Sequence, residues 1–452
     1  MPVPMTPVQI AEVSYDLDLL AVHAASPERY PFLLESTAKD DAQGRFDILF
    51  ALPGARLELN ASGVLSGALH GGDSFLGALD GCWRAERCAA GSTELPFTGG
   101  WFLLLGYELA SEIEPRLTLP ADAGQPVALA VRAAGAVIRD HREQRAWLVA
   151  EASASGALAQ LQADLAAASS GFKPGHLPGP IRIGEPPADL FVEAVRRARQ
   201  HIRAGDVFQA NLSREWRAEL STPVCAAGLY AQLRKVNPGP FAGLAVDGQL
   251  AVISSSPERL VRVRDGRVET RPIAGTRARS GEASDDAPRR AELLADPKEI
   301  AEHVMLIDLE RNDLGRICQP GSVAVDEFMV VESYSHVHHI VSNVSGRLRE
   351  GVTPGHVLRA VFPGGTITGC PKVRCMEIIA ALEDRPRGFY TGAMGYLNRD
   401  GSMDLNILIR TIVAQGRSLS VAAGSGIVAD SDPERELEET RAKAKGMLLA
   451  LN

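Results

Sequence analysis

An α+β fold is what the 452-residue sequence predicts, on three observations. Apolar runs of strand length end at Gly, Pro or Asn turns, as hairpin partners do. Helix-period stretches lie between them at irregular intervals. No strand–helix–strand unit recurs with a fixed period, which argues against a regular parallel wind.

Taken in order, residues 1–168 form an N-terminal region of short strands and turns. One strand is predicted over 46–52, ending at Pro53-Gly54, with two more over 127–131 and 136–138. Residues 97–108 read as a buried strand or a strand–helix corner, and an Ala/Leu/Gln run over 156–168 is helical. Residues 169–180 are rich in Pro and Gly and read as a linker, leaving 181–452 as the second region. There the spacing predicts an amphipathic helix over 188–203 ending at Gly205. Strands are predicted over 207–213, 251–255, 261–264, 397–398, 406–412 and 419–423.

Composition excludes several function classes. An apolar fraction of 45% and a charged fraction of 23% are ordinary for a globular protein. A net charge of −9 argues against nucleic acid as a partner, while leaving room for a local basic site. No apolar run of about 20 residues predicts a membrane span, and the start lacks a basic, then apolar, leader. Six scattered cysteines without a Cys-x-x-Cys pair suit reduced thiols in a cytoplasmic protein.

Acids on two helices carry the chemistry. Asp296, Pro297 and Glu299 open a helix with an N-cap, a first-turn proline and a capping-box acid. Along it Ile300, Val304 and Ile307 share one side while Leu306 and Leu309 occupy the other. A helix apolar nearly all round is buried, so Glu302 should face inward and need a cation or a hydrogen-bond partner. Asp432-Pro433 opens a second helix, on which Glu436, Glu439 and Lys443 share a face. Each helix thus offers a Glu-x-x-Glu pair. Two direct and two water-mediated carboxylates fit the oxygen-ligand habit of Mg²⁺. The plainer alternative is a cap at Glu299 and a surface pair at Glu436.

Glycine turns and isolated polar residues add candidates. The segment 362–372, containing Gly365 and Thr366, leads into a predicted helix start where backbone N–H groups can bind an anion. It is not a P-loop, because no Gly-Lys-Ser/Thr closes it. The Gly424-Ser425-Gly426 run fails as a dinucleotide fingerprint, since no helix follows it directly. Arg410 follows three apolar residues and should answer a carboxylate, either structural or from a substrate. One of His338 and His339 should face the core. Glu258 follows a predicted strand end, a position suited to a site.

Together these motifs resemble the chorismate-utilising enzymes, which include anthranilate, aminodeoxychorismate, isochorismate and salicylate synthases. The resemblance is carried by Ser255-Ser256-Pro257-Glu258-Arg259, by Arg271 to Thr276, by Glu302 to Asp313, by the 362–377 block, by Ile409-Arg410-Thr411 and by 423–428. It covers the chain from about residue 190 onward. The N-terminal region is similar more weakly, through Leu33-Leu34-Glu35-Ser36 and Gly99 to Tyr107.

What the resemblance implies is an anthranilate synthase component I-like fold: two facing β-sheets flanked by helices, with the active site in the cleft between. By the same resemblance, Glu302 and Glu439 bind Mg²⁺ directly, and Glu299 and Glu436 bind it through water. Arg410, Tyr396, Lys443 and the backbone of Gly424 to Gly426 hold the enolpyruvyl carboxylate, beside Gly365 and Thr366. Glu258 is the general acid, with His339 and Thr276 near the reacting ring. Leu34, Glu35 and Ser36 mark a possible tryptophan site. Gln209 stands where the water-adding members carry a lysine base, so ammonia is the implied nucleophile. The chain has no Gly-x-Cys-x-Gly-type glutaminase segment, which implies a separate glutamine amidotransferase subunit as partner. Gln209 to Leu212 and the Pro363-Gly364-Gly365-Thr366 block resemble the aminodeoxychorismate branch, which makes 4-amino-4-deoxychorismate. Ala274 resembles the anthranilate branch instead, because the first branch often has a lysine there. A third expectation, from another class, is a non-catalytic ligand-sensing or scaffold subunit.

Overall fold

The structure, a computed structural model, describes residues 8–38, 44–68, 71–89, 91, 93–168, 181, 183–278, 283–333 and 337–452. Its strands join in one hydrogen-bonded network in which every ladder is antiparallel. The α+β expectation holds.

A long ladder between Phe46–Asn60 and Pro126–Asp140 organises that network. Its register slips between Pro53 and Arg56, and Leu52 has φ 57°. A bulge of this kind bends a strand and tolerates a proline, whose missing N–H would break a regular ladder. The strand predicted to stop at Pro53-Gly54 therefore runs on to Asn60, and the ladder serves two sheets. Its 46–51 half continues through Phe32–Glu35, Phe241–Asp247, Leu250–Ser256, Thr411–Gln415, Ser418–Ile427 and Gln209–Glu219. From residues 128–133 the second sheet continues through Gly100–Leu105, Ala393–Asn398, Met403–Ile407, Arg259–Arg264, Arg267–Thr270 and Val337–Arg347.

Apolar side chains from both sheets close on each other. Phe32, Ile48 and Phe50 meet Phe102, Leu104 and Met394, and Phe32 stacks on Phe102 at 4.0 Å. Helices Leu19–Ala25, Ala157–Ala168, Ala226–Val236 and Pro433–Leu449 cover the outer face of the first sheet. Phe75–Glu86, Pro297–Gly315 and Pro354–Val361 cover the second. Strands from either side of the predicted linker share both sheets, meeting where Phe32–Glu35 pairs with Phe241–Asp247 and where Gly100–Leu105 pairs with Ala393–Asn398. Residues 169–180 themselves lie outside the described residues. No described helix is long and apolar enough to cross a membrane.

The chain passes between the sheets twice at one place. Ser256 ends a strand of the first sheet and Arg259 begins one of the second, so Pro257 and Glu258 form a crossing. Residues 408–410 cross back, between Met403–Ile407 and Thr411–Gln415. The single strand predicted over 406–412 is therefore broken, with Arg410 left-handed at φ 53°. Backbone bonds pin the crossings together: the Ile407 N–H donates to the Glu258 carbonyl at 3.0 Å, and the Ser255 N–H to the Arg410 carbonyl at 3.1 Å. The Ser256 hydroxyl adds a bond to the Ile407 carbonyl at 2.5 Å.

Helix Ala188–Arg203 has its predicted bounds. Helix Pro297–Gly315 also forms, with Glu299 N–H donating to Asp296, but its burial departs from the sequence reading. Val304 is 47% exposed, and the buried stripe is His303, Leu306, Ile307, Leu309, Glu310, Asp313 and Leu314. One stripe faces inward, not the whole circumference, and it carries acids that the apolar pattern concealed.

Arg387 ties the elements beneath the crossings. It pairs with Glu383 at 2.6 Å and donates to the Asn211 carbonyl at 2.7 Å and the Ile367 carbonyl at 3.1 Å. Its guanidinium lies over the Tyr107 ring at 4.9 Å. Removing it leaves the buried Glu383 carboxylate with only the longer Arg385 contact at 3.5 Å as its cation among the described residues, so Arg387→Ala should lower the unfolding free energy by about 3 kcal/mol. Denaturant unfolding of wild type and variant checks this; a loss below about 1 kcal/mol contradicts it.

Candidate active site

The pinned crossings place Glu258 and Arg410 at one cleft. Glu258 is buried, and its Oε1 accepts the Thr366 hydroxyl at 2.7 Å. Burial pushes its carboxyl up to about 8, Glu310 adding to the rise while Thr366, the Ile273 N–H and Lys443 oppose it. Glu258 is therefore largely a neutral acid at neutral pH, able to donate a proton.

Arg410 is held by its backbone, and among the described residues no side chain is bonded to its guanidinium. Burial depresses its pKa, while Tyr390 and Glu439 favour the charge. Lys443 is a second cation, bonded to Glu439 at 2.6 Å and to the Gly424 carbonyl at 3.1 Å. A desolvated cation without its own carboxylate is costly unless a ligand anion meets it.

Glycines form the floor. A Cβ at Gly424 would come within 2.9 Å of the Tyr390 hydroxyl and of Asn211 Oδ1. One at Gly426 would meet Gln209 Nε2 at 2.3 Å and Glu302 Oε1 at 3.3 Å. Glu302 is half-buried and accepts the Gln209 amide at 2.9 Å. Glu299 lies against Gly275, whose carbonyl is 3.3 Å from His339 Nδ1. Burial, with Arg410 nearby, pushes the His339 imidazole down to about 4. Neutral His339 can donate from Nδ1 to Gly275, which makes Nε2 an acceptor. Glu436 is buried and Glu439 is exposed on the same helix.

Among the described residues no three His, Cys, Asp or Glu side chains converge closely enough to hold a metal alone. The donor set is nonetheless the hard-oxygen kind that Mg²⁺ takes, and one or two carboxylates with water and a substrate anion suffice for it. The residues fit the ion on that ground.

A family model described as chorismate binding enzyme matches residues 65–449. The chain belongs to the chorismate-binding enzymes. Anthranilate synthase component 1 of Synechocystis sp. is 38% identical, over 94% of this chain and 91% of that relative. Aminodeoxychorismate synthase component 1 of Bacillus subtilis is 42% identical, over 78% of this chain and 77% of that relative. Among solved structures, anthranilate synthase component I from Streptococcus pneumoniae is 33% identical with a TM-score of 0.80. That match covers 90% of this chain and 93% of the other.

In this chorismate-binding enzyme Glu258, Thr366, Lys443, Glu439, Arg410, His339 and Gly424 lie about one cleft, and Tyr396 stands apart from it. Tyr396 does not reach the cleft: it packs on Phe97 and Phe50, with ring centroids 5.8 and 6.2 Å away. The strand Ala393–Asn398 sends it toward a separate cavity of about 300 Å³, which Leu34 and Glu35 also line. Tyr390 is the tyrosine beside Gly424 and Arg410. No local signal separates the two tyrosines; only their distance from the crossing does. Thr276 lies opposite His339 in the ladder, and its side chain is outside the described residues. Ser36 is buried beside Glu35, and its N–H donates to Asp47 at 2.8 Å. Glu310 was not singled out from the sequence, although its place on the buried stripe with Leu306 and Leu314 could have marked it.

The acid's environment predicts a stability signature. Between its ordinary value of 4.5 and about 8, Glu258 holds a proton when folded and loses it when unfolded. The folded state binds the extra proton, so this group's contribution falls as pH rises through that window. Glu258→Gln removes the fall. Its melting temperature relative to wild type should rise between about pH 5 and about pH 8.5; a flat difference in calorimetry would contradict the buried-acid assignment.

Proposed function

We propose that this protein aminates chorismate with ammonia to give 4-amino-4-deoxychorismate. The observation that carries a dicarboxylate substrate is Arg410, a half-buried cation to which no carboxylate is bonded among the described residues, in the cleft that also holds Lys443 and the protonated Glu258. Arg410, Lys443 and Tyr390 would hold the enolpyruvyl carboxylate on the Gly424–Gly426 floor. Mg²⁺, held by Glu302 and Glu439 with Glu299 and Glu436 through water, would supply positive charge for the ring carboxylate.

The reaction forms a C–N bond and breaks the C4–O bond. Glu258 gives its proton to the departing hydroxyl, which leaves as water. A proton from the new ammonium group then returns the acid to its neutral form through solvent. Thr366 orients Glu258, and neutral His339 presents an acceptor to the ring. Gln209 cannot serve as a base, because an amide does not take a proton at neutral pH. That favours ammonia over water as nucleophile, and a separate glutamine amidotransferase subunit is its proposed source. Relatives named as component 1 suit a two-part assembly. All six cysteines are free, which suits the proposed cytoplasmic location. Tryptophan is the proposed occupant of the cavity lined by Leu34 and Glu35.

A second reading is anthranilate synthesis, favoured by Ala274, which offers no amine for a covalent adduct at C2. Ammonia itself would then attack C2, and loss of pyruvate would give the aromatic product. Incubating the purified chain with chorismate, Mg²⁺ and ammonia separates the two. Aminodeoxychorismate is the expected product, while anthranilate with pyruvate overturns the assignment and unchanged chorismate supports a scaffold. Glu258→Gln should lower kcat about 10²- to 10⁴-fold with chorismate still bound in titration calorimetry. Glu302→Gln should remove Mg²⁺-dependent turnover while circular dichroism stays that of wild type; undiminished turnover would sink its ligand role.

A further inference from the structure

Glu310 is a buried acid that the proposed reaction does not use. It is 6% exposed on helix Pro297–Gly315 and lies against the turn that carries Thr366. A Cβ at Gly365 would come within 3.2 Å of Glu310 Oε1, and the Gly365 N–H is directed at the same carboxyl. The next residue, Thr366, gives its hydroxyl to Glu258. Adjacent residues of one turn thus serve one carboxyl each. The turn is fixed further by the Thr368 hydroxyl, which donates to the Gly364 carbonyl at 2.8 Å.

We propose that Glu310 is a positioning residue for Glu258, acting through the Gly365-Thr366 turn that the two carboxyls share. The inference rests on the reading of Glu258 as the general acid. Held from behind by Glu310, the turn presents the Thr366 hydroxyl to Glu258 in one place. A glycine is required there, because Leu309 and Glu310 leave no room for a side chain.

Charge adds to position. Facing Glu258 are Glu310 from one helix and Lys443 from another. Facing Glu310 are Asp313 on its own helix, Lys372 on the Lys372–Glu383 helix and Thr270. Lys372 is bonded to Asp313 at 2.6 Å, so much of its charge is answered before it reaches Glu310. Burial, then Asp313, raises the Glu310 carboxyl to about 7. As Glu310 ionises, its negative charge discourages ionisation of Glu258, so the catalytic proton stays on to higher pH.

The test is the pH profile of chorismate consumption at fixed free ammonia. Glu310→Gln keeps the size of the side chain and removes its charge. The alkaline limb, set by loss of the Glu258 proton, should move to lower pH by about half a unit or more. Glu310→Asp, which restores a carboxylate, should move the limb back toward wild type. Glu310→Leu serves as a second charge-free variant should the glutamine variant fail to fold. An unmoved limb in a folded, active charge-free variant overturns the proposal, because a merely structural role changes the rate without moving the profile. Failure of both charge-free variants to fold would assign Glu310 to the fold and equally overturn it. A wild type that consumes no chorismate refutes the underlying reading itself, a result distinct from an unmoved limb.

Discussion

The site depends on two places where the chain leaves one sheet and enters the other, bonded to each other through their backbones. Residues in such crossings have left regular pairing, so their side chains are not assigned to either sheet's pleat. The Ile407–Glu258 and Ser255–Arg410 backbone bonds satisfy groups that would otherwise be buried and unpaired. They also leave the Glu258 and Arg410 side chains to the cleft. An acid and a cation are thereby fixed by main chain, without depending on each other for an ion pair.

That separation explains the electrostatics. Burial favours the neutral form of every ionisable group, raising acids and lowering bases. Glu258 and Glu310 move up, and His339 and Arg410 move down. An Arg410–Glu258 pair would have ionised the acid and neutralised the cation's field, leaving neither suited to a substrate. The fold instead tolerates a desolvated arginine near the Lys443–Glu439 pair. Rigid surroundings make this tolerable: Arg387 binds the carbonyls of Asn211 and Ile367 beneath the floor, and the Phe32–Phe102 stack closes the sheets above the bulged ladder.

Much of the fold and site was legible in the residues, with failures that have physical causes. Capping signals at Asp296-Pro297 and Asp432-Pro433 located both acid-bearing helices. Helix Ala188–Arg203 followed from its apolar stripe. Val304 was assigned to the interior because periodicity reports which residues share a face, not how much of the circumference a neighbour covers. Glu310 escaped notice for the converse reason, since a charged residue beside Leu309 reads as solvated until a facing turn buries it. Tyr396 and Tyr390 have similar apolar neighbours, yet one lies within a strand and the other just before it, and so they face different cavities.

By itself the sequence determined the element types, the capped helix starts, the absence of a dinucleotide turn and the set of residue types from which a carboxylate site can be built. These are local matters of spacing and side-chain chemistry. Only tertiary structure decided that the proline in 46–60 is a bulge, that the strand through Arg410 breaks, and which tyrosine and which acids share the cleft. Each of those outcomes depends on contacts between residues far apart in the chain. A backbone bond such as Ile407 to Glu258 leaves no periodicity behind for a sequence to display.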